Sequence, residues 1–302
     1  LGNVEEIRQA FLDENPAAMT INVNSNSDAV GNSDIYNRFY PGIQRVNAQL
    51  TDADIEIKKS STNDVELSVT GGLADDMEAL KETLRVSASV GTLLIQQEKK
   101  AGISVSYAAS RLFGIKVGKY SARIVIHIAV PEQFEKIKVK SISGDIKANN
   151  SNAKTLLIHT GSGDVGVEDC QADELFASSI SGDVNVIACK ADKMDIVSVS
   201  GDIKVEFDKS AQCRAKSTSG DCKVTIGNQV DAVVSSTSGD VSVRYIGEIG
   251  LEMALSSTSG DVSAVCGEIN SKGKKKVQER FGDPDSKLKA STISGDIKVR
   301  DY

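Results

Sequence analysis

The chain has 302 residues, a net charge of −7, 40% apolar residues and 4% aromatic residues, with no tryptophan. Basic and acidic side chains are interspersed over most of its length, which argues against nucleic acid as the main partner. No apolar run reaches the roughly 18 residues of a membrane span, so we expect membrane attachment only through a segment outside this chain.

Residues 1–42 are predicted to form a leader made of a short helix and a linker. Apolar residues recur at helical spacing from Val4 to Leu12. The stretch from Asn22 to Asn37 is rich in Asn, Ser and Asp, which is typical of a loop. Such a leader would separate the rest of the chain from an upstream anchor.

Residues 43–134 are predicted to be an irregular N-terminal β region. Alternating apolar and polar residues predict several short strands, and Met77–Leu84 predicts a helix. The segments Ala53–Ile57 and Gly91–Ile95 are similar to the repeat that follows and lie 38 residues apart, twice its period. We expect them to be degenerate first rungs, and the whole region to be a cap that covers the open edge of the sheets.

Residues 135–302 carry an internal repeat. Ser-Gly-Asp occurs eight times, and its glycines are spaced by 19 residues five times, then by 21 and by 35. Apolar or small residues stand two and four positions after each glycine and seven and five positions before it, so each rung holds two short strands. The pattern predicts an all-β fold, a β-solenoid with two strands per 19-residue rung, parallel stacking and, by the general crossover rule, a right-handed coil.

The Ser-Gly-Asp units predict a tight corner in every rung. Glycine would adopt a backbone conformation that other residues resist, while the Ser and Asp side chains would bond to amides of the turn. The competing interpretation is calcium between stacked aspartates, although one carboxylate per rung is few for an ion that takes about six to eight oxygens. We expect no metal, and a structural role for Gly144, Asp145, Gly163, Asp164, Gly182, Asp183, Gly201, Asp202, Gly220, Asp221, Gly239, Asp240, Gly260, Asp261, Gly295 and Asp296.

The last spacing predicts an insertion at residues 270–286. It is the most basic stretch of the chain, and its cations are Lys272, Lys274, Lys275, Lys276 and Arg280. Because the chain stops seven residues after Gly295, the last rung would expose unpaired backbone groups unless something covers it. We therefore expect a loop that caps the last rung, with contact to an anionic surface polymer as the alternative.

Cysteine and histidine give little sign of chemistry. Cys170 and Cys189 occupy the same position in adjacent rungs, close enough for a disulfide, but in-register parallel neighbours point their β-carbons unfavourably and we expect free thiols. His127 and His159 have no recognisable partner motif, and solvated or strand-face positions are expected for both. No catalytic residue and no cofactor are predicted.

The repeat has the form Thr/Ser-x-Ser-Gly-Asp-Val/Ile-x-Val, with Ile128–Pro131 before the first copy and Leu288–Ile297 forming the last. In these features the chain resembles the bacterial putative-adhesin family with Ser-Gly-Asp β-strand repeats, a domain class of unknown function, over roughly residues 43–302. The resemblance implies an extracytoplasmic protein, secreted or on the cell surface. We expect a non-enzymatic adhesion or interaction module with a protein or polysaccharide ligand. The alternatives are an envelope-sensing accessory domain of a membrane-anchored signalling protein and a carbohydrate-active enzyme.

Overall fold

The computed structural model describes residues 36–70, 84–97, 124–207 and 210–301. The chain separates into two units, Leu1–Gly31 and Asn32–Tyr302, and all described strands lie in the second unit. No helix occurs among the described residues, which confirms the all-β fold class for them. The predicted helix at 4–12 lies outside these residues, as does the predicted helix at 77–84 except for Leu84, which begins a strand.

The described residues form 25 strands. In chain order these are β1 (Tyr36–Tyr40), β2 (Arg45–Gln49), β3 (Asp54–Lys59), β4 (Val65–Thr70), β5 (Leu84–Ser89), β6 (Thr92–Gln97), β7 (Val125–Val130), β8 (Phe134–Ser141), β9 (Ile146–Asn149), β10 (Asn152–Thr160), β11 (Val165–Glu168), β12 (Gln171–Ser179), β13 (Val184–Ile187), β14 (Lys190–Ser198), β15 (Ile203–Glu206), β16 (Ser210–Lys216), β17 (Cys222–Ile226), β18 (Asp231–Ser235), β19 (Val241–Tyr245), β20 (Gly250–Ser257), β21 (Val262–Cys266), β22 (Ile269–Lys274), β23 (Lys276–Gly282), β24 (Ser286–Thr292) and β25 (Ile297–Asp301). Strand β1 thus lies within the predicted leader, at the end of its predicted loop.

The strands build two long sheets. Sheet I has 13 strands in the order β1-β4-β7-β3-β9-β11-β13-β15-β17-β19-β25-β21-β22, and sheet II has 12 in the order β23-β20-β24-β18-β16-β14-β12-β10-β8-β2-β6-β5. From β8 to β19 the chain alternates between the sheets, and successive rungs pair in parallel and in register, as in Leu156↔Leu175 and Val165↔Val184. The stacked parallel rungs are those of a β-solenoid, and its right-handedness stays a prediction.

The core lies between the two sheets and consists of columns of small and branched apolar side chains. In sheet I, Val165, Val184 and Ile203 stack at no more than 1% exposure, and in sheet II, Leu156 and Leu175 stack at no more than 2%. Burying one such side chain stabilises the fold by about 1.5–3 kcal/mol. Each rung therefore extends a continuous core that a single rung could not build alone.

The order of the rungs at the C-terminal end departs from the order in the sequence. Strand β24 lies between β18 and β20, and β25 lies between β19 and β21. The last rung of the chain is therefore inserted beneath the Gly260 rung and is paired on both sides. The expectation that it ends the stack and needs a cap is wrong.

The spatial order of the rungs explains why Gly239 and Gly260 are 21 residues apart and not 19. A chain that enters the next layer rises by about 4.8 Å, whereas a chain that leaves one layer free must rise by about twice that distance. The additional residues lie between Tyr245 and Glu252, where the Tyr245 hydroxyl donates a hydrogen bond of 2.9 Å to the carbonyl of Gly250. The free layer is then filled by the end of the chain.

The predicted insertion forms two strands, not a loop. Strand β22 pairs antiparallel with β21 and is the outermost strand of sheet I, while β23 pairs antiparallel with β20 and is the outermost strand of sheet II. Phe281 on β23 packs edge-on against Tyr245, with the ring centroids 5.8 Å apart. The insertion thus covers the Gly260 rung rather than the last rung of the chain.

The N-terminal end also finishes in antiparallel strands. Strands β2 and β3 form the rung next to β8 and β9, with Ala53 and Asp54 in the places of the repeat's Gly and Asp. The segment Gly91–Ile95 is not equivalent, because β6 lies in sheet II beside β2, so the prediction of a second degenerate rung there is wrong. Strands β1, β4 and β5 pair antiparallel at this end.

Candidate functional site

The glycines of the Ser-Gly-Asp corners lie against the neighbouring rung. A β-carbon built on Gly201 would lie 2.0 Å from the carbonyl oxygen of Gly182, and the other corners give distances of 1.8–2.1 Å. None of these eight glycines has a left-handed φ, so the backbone reason given for them above is wrong. Glycine is required because any side chain would collide with the adjacent rung.

A buried hydroxyl stands three residues before each of these glycines. In the Gly201 corner, the Ser198 hydroxyl donates to the carbonyl of Gly182 at 3.1 Å and accepts a hydrogen bond of 2.9 Å from the amide of Gly201. It therefore joins two rungs and also closes its own turn. The same position is held by Ser141, Thr160, Ser179, Ser217, Ser236, Ser257 and Thr292, all at most 6% exposed.

The aspartates that follow the glycines form a ladder of hydrogen bonds along the exposed edge of the corners. In each step a carboxylate Oδ1 accepts a bond of 2.8–2.9 Å from the main-chain amide of the next aspartate in the stack. Like charges about 5 Å apart repel by roughly 0.8 kcal/mol even in water, and these bonds offset that cost. The ladder runs, in spatial order, through Asp54, Asp145, Asp164, Asp183, Asp202, Asp221, Asp240, Asp296 and Asp261.

Lys275 ends this ladder. Its Nζ donates to the carbonyls of Ser259 at 3.0 Å and Gly260 at 2.7 Å and contacts Asp261 Oδ1 at 3.2 Å. An ammonium group thus stands where the amides of a further rung would stand. Four other cations of the insertion are exposed but divided between the two outermost strands, with Lys272 and Lys274 on β22 and Lys276 and Arg280 on β23.

The second corner of the rungs is built differently. Asn150, Asp169 and Ala188 occupy equivalent positions with left-handed φ values of 49°, 51° and 53°. The residue after each is buried: Ser151, Cys170 and Cys189 form a column in which the Ser151 Oγ lies 3.3 Å from the Cys170 Sγ.

Both thiols of this column are free. The hydrogen bond between them lowers the pKa of Cys170 and raises that of Cys189. Cys213, Cys222 and Cys266 are also buried and free, and burial raises the pKa of each to about 12. The described cysteines are therefore core residues.

An open groove of about 930 Å³ runs beside the second corner across the starts of β8, β10, β12 and β14. Its floor contains the alanines at the second position of three strands, Ala153, Ala172 and Ala191. Just after them the register between β10 and β12 passes from Ala153↔Ala172 to Thr155↔Glu174, with no pairing in between. Most of the side chains that line the groove are polar, and the sequence pattern did not point to this groove.

The two histidines have partners. His127 Nδ1 lies 3.1 Å from the Glu56 carboxylate and its Nε2 lies 2.9 Å from the Thr70 hydroxyl. His159 Nδ1 lies 2.8 Å from the hydroxyl of the buried Ser178, and burial together with Lys140 lowers the pKa of His159. His159 therefore lies on the outward face of β10, the strand-face position expected for it, and is partly buried there.

The Glu56–His127–Thr70 arrangement has the order of a hydrolytic triad, but the described strands around it supply no oxyanion hole. It lies on the face of sheet I, where β7 is paired on one side with β3 and on the other with β4. The amides of β7 are directed at its neighbours, so they cannot form an oxyanion hole, which supplies much of such catalysis. Cross-strand stabilisation of the sheet accounts for these contacts.

The described residues also fall short of the requirements of a metal site. Over the described ranges, no three His, Cys, Asp or Glu side chains lie close enough together to hold an ion. The part of the chain that the structure describes also contains no helix able to cross a bilayer.

The model of the Toastrack DUF4097 family matches residues 43–300, and the chain belongs to this family. The matched range begins between β1 and β2 and ends in β25, so it includes the stacked rungs, the insertion and the described N-terminal strands except β1. No curated protein matches the sequence.

Solved structures of similar chains come from bacteria. A putative adhesin from Bacteroides fragilis NCTC 9343 is 17% identical, with a TM-score of 0.47 and coverage of 87% of this chain and 96% of that one. A putative lipid binding protein from Parabacteroides distasonis ATCC 8503 is 16% identical, with a TM-score of 0.43 and coverage of 87% and 96%. A putative adhesin from Parabacteroides merdae ATCC 43184 is 12% identical, with a TM-score of 0.40 and coverage of 88% and 95%.

Proposed function

We propose that this protein is a non-enzymatic adhesion or interaction module that acts outside the cytoplasm, at the bacterial cell surface. The proposal rests on one observation, that the repeated polar side chains are hydrogen-bonded to the backbone of neighbouring rungs. The hydroxyl of Ser198 and the carboxylate of Asp202, like their equivalents in the other corners, hold the backbone of an adjacent rung. Groups that are bonded in this way build a scaffold and are not free to attack a substrate.

A scaffold of stacked rungs suits the binding of extended partners. Equivalent side chains recur about every 4.8 Å along the stack, so one partner can contact several rungs at once. Solenoid proteins commonly use such extended surfaces for binding. Several weak contacts along one polymer add up to useful affinity, which is the requirement for adhesion.

The direct test measures binding and turnover side by side. The fluorescently labelled full chain is incubated with intact bacterial cells and with isolated cell-envelope polymers, and bound protein is counted against concentration. We expect saturable binding that unlabelled protein competes away, and no release of reducing ends from the polymers. Turnover of any polymer, or binding that never saturates on every surface, contradicts the proposal.

Contact with anionic polymers is a secondary role of the insertion in this proposal. Lys275 is bonded within the corner, and the Lys274 Nζ donates to the Ser271 hydroxyl at 3.2 Å. Contact with a polymer would therefore rest mainly on the exposed Lys272, Lys276 and Arg280. Attraction at exposed charges is screened within about 8 Å at physiological salt. We expect binding of the full chain to dextran sulfate to vanish with added salt, and binding to cells to survive in the variant Lys272→Glu/Lys276→Glu.

A further inference from the structure

The groove beside the second corner has a lining that selects among ligand classes. Five of its lining residues are carboxamides: Gln44, Gln133, Asn152, Gln171 and Gln229. Each amide offers two N–H donors and an acceptor oxygen, so the groove presents both kinds of hydrogen-bonding group along its length. The strand starts that it crosses, from β8 to β14, span three steps of the stack, about 14 Å at about 4.8 Å per step.

The charge of the groove disfavours anionic polymers. Its described lining includes four carboxylates, Glu132, Glu135, Asp173 and Asp192, and two ammonium groups, Lys154 and Lys190. Beside the groove, Lys59 and Arg45 pair with Glu132 and Glu135, so the acidic and basic charges are about balanced. A polyanion would therefore find no excess of cations on this surface to bind it. The basic insertion, where an anionic polymer would bind, lies at the end of the stack.

The backbone of the groove disfavours an extended peptide. Strands β8, β10, β12 and β14 are interior strands of sheet II, so the edge that a peptide strand would need for addition is occupied by neighbouring strands. The floor is of alanine, with Ala153 and Ala191 only 7% exposed, and offers no deep pocket for an apolar side chain.

We propose that this groove binds a neutral glycan chain, and this proposal rests on the proposed function as an interaction module. Sugar hydroxyls donate and accept hydrogen bonds, which matches the carboxamides of Asn152 and Gln171, and an extended sugar chain needs neither a strand edge nor apolar pockets. The carboxylates of Asp173 and Asp192 accept from further hydroxyls and keep anionic sugars out.

The test is calorimetric titration of the full chain with neutral hexaoses of glucose, mannose and N-acetylglucosamine, and with an oligogalacturonate of equal length. We expect at least one neutral hexaose to bind and the oligogalacturonate not to bind. The variant Asn152→Ala/Gln171→Ala should weaken the neutral hexaose by about tenfold or more, the loss of two hydrogen bonds. The matched control is Asn185→Ala on sheet I, outside the groove, which should bind like the unmodified chain.

A second variant keeps the test valid if the double alanine variant fails to fold. Asp173→Lys/Asp192→Lys changes only exposed side chains and should allow oligogalacturonate to bind while the neutral hexaose still binds. The proposal is overturned if none of the three neutral hexaoses binds, if the double alanine variant binds as the unmodified chain does, or if a peptide competes for the same surface. If the double alanine variant still adheres to cells, the glycan site is wrong while the adhesive function stands.

Discussion

Each rung of the solenoid turns at two corners, and the two differ in what restricts their residues. At the Ser-Gly-Asp corner, Gly201 has an ordinary φ, yet its missing β-carbon would lie 2.0 Å from the Gly182 carbonyl oxygen. At the second corner, Asn150, Asp169 and Ala188 all have left-handed φ values, yet none is glycine. The conformation usually given as the reason for glycine therefore occurs where glycine is absent.

The difference shows that contact between rungs restricts a residue more than local backbone preference does. A left-handed φ costs a non-glycine residue about 1–2 kcal/mol, which Asn and Asp partly recover and which a stable stack tolerates. A collision with the next rung cannot be relaxed without separating two paired layers. The first corner is therefore uniform in sequence, and the second varies.

The largest expected effect is that of Gly201→Ala. Its β-carbon would push the rungs of Gly182 and Gly201 apart and strain the hydrogen bonds of both, so we expect a loss of about 3–5 kcal/mol in the free energy of unfolding. Gly166→Ala is the matched control, because a β-carbon there meets only the Lys147 side chain, at 3.8 Å. Urea denaturation measures both. Equal urea midpoints for Gly201→Ala and Gly166→Ala would show that contact between rungs does not restrict the Ser-Gly-Asp corner.

The variant Ser198→Ala should cost somewhat less. It leaves the carbonyl of Gly182 and the amide of Gly201 without their buried partner, and unsatisfied groups of this kind cost about 1–3 kcal/mol each. We expect a total loss of about 2–3 kcal/mol. Ser198→Thr should be tolerated, since Thr160 and Thr292 hold the same position. Ser200→Ala, at an exposed position, is the control, and thermal unfolding of all three distinguishes a buried hydroxyl from an exposed one.

A buried carboxylate on the face of sheet II offers a substitution that is expected to stabilise the fold. Asp195 on β14 is 4% exposed, its Oδ1 has no hydrogen-bond partner, and its Oδ2 lies 3.7 Å from Arg214 Nη1. Burial raises the pKa of Asp195 against the attraction of Arg214. Since the folded state then holds this proton more tightly than the unfolded state does, the Asp195 contribution to stability falls as pH rises through the folded-state pKa.

Asp195→Asn should therefore raise the free energy of unfolding at pH 7 by on the order of 1 kcal/mol. The gain should fade as the pH is lowered below the ordinary pKa of an aspartate, where the native carboxyl is neutral in both states. Denaturation at a series of pH values measures this, with the exposed Asp231→Asn as the control. A gain that does not depend on pH would mean that ionisation of Asp195 is not the cause.

The smallest expected effect is at the second corner. Ala188 has a φ of 53°, so Ala188→Gly should relieve backbone strain and stabilise the fold by about 0.5–1 kcal/mol, after the larger entropy of the unfolded glycine is subtracted. Ala148→Gly on β9, where the backbone is extended, should destabilise it instead. Melting temperatures of the two variants should therefore move in opposite directions. If Ala188→Gly lowers the melting temperature, backbone strain is not what restricts the second corner.

Much of the architecture was predictable because the repeat is regular. The alternation around each glycine indicated which side chains are buried. Ala53–Ile57 is similar to the repeat, and Asp54 accepts the amide hydrogen bond that the repeat's aspartates accept. The prediction for Gly91–Ile95 was wrong because a pattern of only five residues fits a strand of either sheet. The ladder of hydroxyls was visible as a uniform column, but its two bonds per residue depend on how closely the rungs stack.

The amino-acid sequence by itself determined the rung, its period and its inward columns, because these depend on alternation along a strand and recur in every copy. Only the tertiary structure decided the order of the last two rungs, since a layer left free between β19 and β21 is filled by whichever segment fits it. It also decided the reason for the corner glycines and the position of the groove, because both arise from distances between residues 19 positions apart in the chain that become neighbours only when the rungs stack.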